Sequence, residues 1–375
     1  MAELQKHKGA VRVFGILMRV MARIQGLPAR MTPTPFRLLE IGSAFWQSRA
    51  LFVAARLDIA SILGGETLAA DEIAGRVAVD GEALYRLLRM LAAMGIFEQT
   101  PQGGFRNNKV SEHLRRDHPR TIRPMILMHN SEAMSRPWFE ELESGVRKGE
   151  PPFRLAHGEE LFEYLEHHPE QDALFSEAME SVEALTGDSY ATDFDWGRFE
   201  RVLDIGGSRG TKALTLLEHH EHLQALVVDR PRVVEEAGDH WQGKKDPAVL
   251  TRLGFQAGDV LGTLPAARND RDIYFLSAVL HGFDDATCIG ALRNLAEASG
   301  DSGAPIAVME MVMEPGRPDY LATSFDLQMS VNTRGRERTL WEWRSLFEKS
   351  GLELREIIHL RPFGRILLLF PCSPF

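Results

Sequence analysis

Arg201-Val-Leu-Asp-Ile-Gly-Gly-Ser-Arg-Gly-Thr211 is the stretch that decides the fold. Apolar residues over 201–205, interrupted by Asp204, predict a strand. Glycines at 206, 207 and 210 then predict a tight turn, and Thr211 to Leu217 begins a helix. In an open α/β sheet such a strand-to-helix turn lies at the carboxyl edge, where a ligand can approach the N–H groups of a helix N-terminus. The nicotinamide fingerprint G-x-G-x-x-G needs glycine at 206, 208 and 211. Ser208 and Thr211 stand at two of these positions, which argues against a dinucleotide.

Working outward, Leu223 to Val228, Asp272 to Leu276 and Pro305 to Met311 are further apolar runs that alternate with helical segments, the pattern of a doubly wound, mainly parallel sheet. Leu352 to Leu360 and Arg365 to Phe370, around Pro362-Phe363-Gly364, predict an antiparallel hairpin at its edge. The second strand ends at Asp229, about 20 residues beyond the glycines, where a carboxylate can accept both hydroxyls of a ribose. A third apolar stretch ends in Ala257-Gly258-Asp259-Val260, and an acid there can accept from an adenine amino group. Any one of Asp204, Asp229 and Asp259 could be only a cap of the following helix. Three acids closing successive strands point to a nucleoside.

The N-terminal half is helical. Phe36 to about Leu63 keeps helical spacing, Thr67 to Val77 follows the Gly64-Gly65 break, and Asp80 caps a helix with Leu84, Leu87, Leu88 and Leu91 on one face. Gly95 to Phe105 then predicts a hairpin turning at Gly103-Gly104, so this part is a winged helix. DNA readers use this fold. Here the helix before the wing offers only Arg86 and Arg89 among leucine and methionine, whereas groove entry needs several basic and polar side chains. Helices continue over Glu140 to Val146 and Glu159 to Leu185, interrupted by Pro151-Pro152. The character changes near Thr192, which divides the chain into 1–192 and 193–375.

With 375 residues, 44% hydrophobic and 26% charged, the chain is long enough for two cores and too apolar to be disordered. A net charge of −10 argues against nucleic acid as a partner. Two cysteines, Cys288 and Cys372, build neither a disulfide framework nor a four-cysteine metal site, and no metal is expected. A reducing cytoplasm fits best. Residues 1–30 carry six basic residues against Glu3, and Val11 to Ile24 reads as an amphipathic basic helix. Its apolar face suits a partner subunit or the body of the protein better than a membrane surface. Val13 to Met18 is too short to span a bilayer, and no secretory cleavage site follows it.

The turn resembles the D-x-G-x-G-x-G motif of S-adenosylmethionine-dependent methyltransferases, with Ser208 in place of the middle glycine. Ala70-Asp-Glu-Ile-Ala, Leu84-Tyr-Arg-Leu-Leu-Arg-Met-Leu, Gly95-Ile-Phe, Phe175-Ser-Glu-Ala-Met179, Leu280-His281, Val308-Met-Glu310-Met and Gly335-Arg-Glu-Arg-Thr339 extend the likeness over nearly the whole chain from Phe36. Together they resemble the dimeric small-molecule O-methyltransferases of plant phenylpropanoid and bacterial polyketide and pigment metabolism. The resemblance implies a winged-helix dimerisation domain on a Rossmann-like methyltransferase domain, a homodimer, S-adenosylmethionine as cofactor, and a small aromatic or polyketide-like hydroxyl as acceptor.

It also implies roles. His281 is the general base, flanked by Glu310 and Glu337; an imidazole can take a proton as oxygen attacks the sulfonium methyl, and a carboxylate on its other nitrogen fixes the tautomer. Asp204, Gly206, Gly207, Ser208, Gly210, Asp229, Asp259, Val260 and Ser277 belong to the cofactor site. Phe175, Met179, Met329 and Asn332 line the acceptor pocket. Three positions depart from the family's pattern. Gly282 follows the histidine where Asp is usual, Ser277 stands where lysine is frequent, and Ser208 replaces glycine. These departures keep open a different reaction on the same fold, or methyl transfer to nitrogen or carbon.

Overall fold

A computed structural model of the chain describes residues 2–4, 13, 33–182, 187–316, 319–361 and 364–372. The basic helix expected over Val11 to Ile24 lies, apart from Val13, outside these residues, as do Pro362 and Phe363. The chain forms two compact units, each discontinuous: Met1–Ile16 with Arg136–Tyr164 and Thr186–Phe375, and Leu17–Ser135 with Leu165–Leu185. The segment 136–164, grouped with the helical part in the sequence reading, thus belongs to the sheet-bearing unit.

The main sheet of that unit has eight strands among the described residues: β1 Ala2–Leu4, β2 Arg201–Ile205, β3 Gln224–Asp229, β4 Leu253–Ala257, β5 Asp272–Ser277, β6 Ile306–Glu310, β7 Leu352–His359 and β8 Arg365–Pro371. Their order across the sheet is β1-β7-β8-β6-β5-β2-β3-β4. Only β8 runs against its neighbours, and β2 to β6 are parallel. The expected hairpin is β7–β8, with β1 added outside it.

Successive residues on the central strands enter different cores. Leu203, Ile205, Tyr274, Leu276, Ile306 and Val308 pack on one face, and Val202, Val227, Ile273, Phe275 and Ala307 on the other. A sheet covered on both sides needs continuous apolar runs, which is why these strands read as unbroken hydrophobic stretches. Phe275 is fully buried, and truncating it to alanine should destabilise the chain by about 3–5 kcal/mol. This rigid sheet fixes where its strand ends, and the side chains on them, point.

In the helical unit, Ala44–Arg56, Ile59–Leu63, Ala70–Val77 and Gly81–Ala93 precede a hairpin of Glu98–Gln99 and Phe105–Arg106. The Asp80 carboxylate accepts from Ala83 N at 2.8 Å, as an N-cap should, and Leu84, Leu88 and Leu91 are buried. The helix expected from Phe36 to Leu63 is divided, because Ser43 closes Thr34–Gly42 and Asp58 takes a left-handed φ of 59°. Pro169 likewise starts a new helix, Pro169–Ser181, after Leu161–His167. Phe36, Leu38, Leu39, Ile41 and Trp46 are exposed.

Candidate active site

The carboxyl ends of β2 to β6 carry most of the sequence-derived site. After β2 the chain bends through Gly206 (φ 73°), Ser208 (φ 52°) and Gly210 (φ 80°) before the helix Thr211–His219. A Cβ on Gly206 would lie 2.8 Å from the Val279 side chain, and one on Gly207 would lie 2.4 Å from the Asp204 carboxylate. Side chains are therefore excluded by the protein's own packing. Asp229, at the end of β3, does more than present a carboxylate. Its Oδ2 accepts from Ser208 N at 2.7 Å and its Oδ1 from Arg230 N at 2.8 Å, so it shapes the glycine turn 21 residues upstream.

Asp204 is buried at the end of β2. Asp259 is exposed after β4, and its Oδ1 accepts from Leu261 N at 2.9 Å, closing a local turn. Val260 beside it is buried in the core. Ser277 ends β5, and its buried Oγ has no hydrogen-bond partner among the described residues.

His281 sits on a single turn of 3₁₀ helix, Leu280–Gly282, entered through Ala278 with a positive φ of 54°. Its Nδ1 is 2.8 Å from Glu337 Oε1 and 3.8 Å from Glu310 Oε2. Both glutamates are buried, at 4% and 3% exposure, while the imidazole is half-buried. The other oxygen of Glu310 accepts the backbone N–H of Val279, Leu280 and His281 at 3.1, 2.9 and 3.3 Å. Glu310 therefore holds the turn by its backbone as well as facing the ring. Glu337 is itself set by its N–H, which donates to Asp326 Oδ1 at 2.9 Å.

The electrostatics follow from this packing. Burial pushes the imidazolium to lose its proton, but the Glu310 and Glu337 charges outweigh it and raise His281 to about 9. Burial raises Glu310 to about 7, opposed by the His281 charge and reinforced by that of Glu337. The His281 and Glu310 shifts each depend on the charge of the other group. Ligand atoms of His281, Glu310 and Glu337 lie within 4.8 Å of one another, close enough to converge on a small cation. The 2.8 Å separation of Nδ1 from Glu337 Oε1 is itself hydrogen-bond distance.

Of the four residues expected from the sequence to line an acceptor pocket, Met329 and Asn332 lie on the helix Tyr320–Asn332, and Asn332 is buried with an Oδ1 unpartnered among the described residues. Phe175 and Met179 lie on Pro169–Ser181 in the helical unit. Two residues that the sequence reading quoted only as motif letters carry structure. A Cβ on Gly335 would lie 1.9 Å from the His281 carbonyl oxygen, so glycine is required for the close approach. Arg338 is fully buried and reaches the turn beyond the histidine. The motif could have flagged both positions, but not the atoms they touch.

Residues 139–353 match the family model of the O-methyltransferase domain, and residues 39–117 match that of the O-methyltransferase dimerisation domain. The chain is 31% identical over 330 residues to the phenazine O-methyltransferase PhzM of Lysobacter antibioticus, covering 88% of this chain and 94% of that one. It is 32% identical over 306 residues to 2,7-dihydroxy-5-methyl-1-naphthoate 7-O-methyltransferase of Streptomyces carzinostaticus, covering 82% and 89%. The crystal structure of LaPhzM is similar with a TM-score of 0.85 and 29% identity, covering 91% of this chain and all of that one. With both family models matched in order along its length, this chain belongs to the S-adenosylmethionine-dependent small-molecule O-methyltransferases.

Proposed function

We propose that this enzyme transfers a methyl group to a hydroxyl of a flat aromatic or polyketide-like small molecule, with His281 as general base. The observation that carries the reading is the 2.8 Å contact between His281 Nδ1 and Glu337, which leaves Nε2 as the ring atom that can exchange a proton with an acceptor. Glu337 holds the ring and its tautomer, and Glu310 holds the turn on which the ring stands.

The residues fit S-adenosylmethionine. Asp229 and Asp259 are acceptors suited to ribose hydroxyls and an adenine amino group. An ionised carboxylate offers about four acceptor positions, enough for Asp229 to hold the turn and a ribose together. The unpartnered Ser277 Oγ suits a further polar contact. In the proposal Asp204, Gly206, Gly207, Ser208, Gly210, Asp229, Asp259, Val260 and Ser277 hold the cofactor. When bound it supplies an electrophilic methyl on a sulfonium.

The raised affinity of His281 for its proton sets how the residue acts. Near neutral pH the ring is an imidazolium. An acceptor that arrives ionised meets its counter-ion, and one that arrives as a hydroxyl gives its proton to the minority neutral ring. An amine with a free lone pair attacks without first losing a proton, so a buried, doubly anchored base favours oxygen over nitrogen. Ser208, Ser277 and Gly282 remove no member of the His281, Glu310 and Glu337 cluster, so methyl transfer remains the reading over a different reaction.

Phe175, Met179, Met329 and Asn332 are proposed to line the acceptor pocket, since aromatic and thioether side chains suit a flat ring. The exposed Phe36, Leu38, Leu39 and Ile41 support a homodimer formed by residues 1–192, with the transfer chemistry in 193–375. No helix among the described residues is long and apolar enough to cross a membrane. The net charge of −10 speaks against nucleic acid as a partner, and the two cysteines fit a reducing cytoplasm. Incubation with methyl-labelled cofactor and a panel of hydroxylated naphthoates and phenazines tests the reading. The expected product carries label on oxygen. Turnover that needs the cofactor but leaves every product unlabelled rejects it.

A further inference from the structure

We propose that Arg338 is a positioning residue for His281, a buried guanidinium clamp that fixes the turn carrying the base from its carbonyl side. Arg338 has five N–H groups, and the structure gives five bonds. Nε donates to Asp285 Oδ1 at 3.0 Å. Nη1 donates to the Leu280 and Arg336 carbonyls, each at 3.3 Å, and Nη2 to the Phe283 carbonyl at 2.7 Å and Asp285 Oδ1 at 2.8 Å. The guanidinium carbon lies 5.1 Å from the centroid of the Trp343 ring. A fully buried cation is expensive unless every donor is satisfied, and only the planar fork of arginine reaches these carbonyls together.

Leu280 shows the consequence. Its N–H donates to Glu310 at 2.9 Å while its carbonyl accepts from Arg338 at 3.3 Å and from the Cys288 thiol at 3.1 Å. Both polar groups of the residue preceding the base are therefore anchored, from elements 30 and 58 residues away. This explains how the turn is held with glycine at 282, where a Cβ would meet nothing within 4 Å and no side chain provides an anchor. The charges facing the ring are Glu310, Glu337 and Arg338, and the Arg338 cation opposes the two carboxylates by disfavouring a second positive charge nearby. Asp285 and Arg336 complete the charged surroundings of Arg338.

The proposal rests on His281 being the base, and its test separates the two ideas. Arg338→Lys, Arg338→Met and Asp285→Asn are made in the full chain. Histidine-ring NMR titration, with the His281 signal assigned by its loss in His281→Ala, reads the ring without any acceptor. Expected in Arg338→Met is a displaced ring signal whose titration moves to higher pH. Turnover should fall roughly 10- to 100-fold in Arg338→Lys, the scale of an ångström-sized misplacement, with cofactor affinity within about twofold. Asp285→Asn keeps an oxygen acceptor on a half-exposed side chain but removes the counter-charge, so it should lower turnover less than the Arg338 variants and stay folded with a somewhat lower melting temperature; it decides the matter if the Arg338 variants do not fold. Unchanged ring signals, titration and turnover in a folded variant overturn the clamp. A displaced ring with unaltered turnover instead overturns the role of His281 as base.

Discussion

The turn after β2 and the turn after β5 leave neighbouring parallel strands at the same edge of the sheet, and each holds one non-glycine residue at positive φ, Ser208 and Ala278. The first is shaped by its own glycines, tightened by the Asp229 carboxylate. The second has no glycine at positive φ between Ser277 and Phe283 and is held from outside, by Glu310 on its N–H groups, Arg338 on its carbonyls and the Gly335 backbone against the His281 carbonyl. The difference suits the tasks proposed for them. A cofactor is bound by backbone N–H groups and needs close approach, whereas a base must keep one ring nitrogen in register with an acceptor and needs its rotamer and charge fixed by side chains.

The two turns differ most in whether a change affects cofactor binding or the chemical step. His281→Ala should lower methyl transfer roughly 10²- to 10⁴-fold while calorimetric affinity for S-adenosylmethionine stays nearly unchanged. Equal losses of both would show that the two turns are one structural unit. Gly335→Ala should act on the same turn without touching the ring. Its new methyl would meet backbone atoms at 1.9 and 2.5 Å, so the turn must move, and turnover should fall about 10²-fold with a lower melting temperature. An active, equally stable variant would remove the close approach from the account.

Asp229→Ala tests the other turn. It should weaken cofactor binding by roughly 3 kcal/mol, about 100-fold in Kd, because ribose hydroxyls lose a charged acceptor and Ser208 N loses its partner. Retained affinity in titration would sink the assignment.

The pH dependence sharpens the contrast further. With His281 raised to about 9, the rate for an acceptor that stays un-ionised should climb with pH until that range, as the neutral ring forms. In Glu337→Gln the ring keeps an oxygen acceptor but loses the facing charge, so the limb should move to lower pH; a limb that stays put would remove Glu337 from the couple. Stability has the opposite slope. A proton held more tightly in the folded state than at the ordinary histidine value of 6.5 stabilises below that value, and the contribution is lost as pH rises through about 9. The smallest effect is expected for Ser208→Gly. Relief of a left-handed residue, worth about 1 kcal/mol, offsets the greater entropy of glycine, so the melting temperature should barely change.

The central architecture and the glycine turn after β2 were legible in the chain's local pattern. Strand periodicity, glycine spacing and the acids at 229 and 259 are local features, set within a few residues, and they are readable because one stretch of chain encodes one piece of structure. Matched motifs also named His281, Glu310 and Glu337. How those residues are held came from the packing of distant segments. Glu310 was expected to flank the ring and is found to hold the backbone of the turn too, with Arg338 and Gly335 joining it from distant positions. The breaks at Ser43, Asp58 and Pro169, and the membership of 136–164 in the sheet-bearing unit, were likewise decided by packing rather than by local propensity. Contacts between residues tens of positions apart depend on strand order and register, which long-range burial sets and no local pattern encodes.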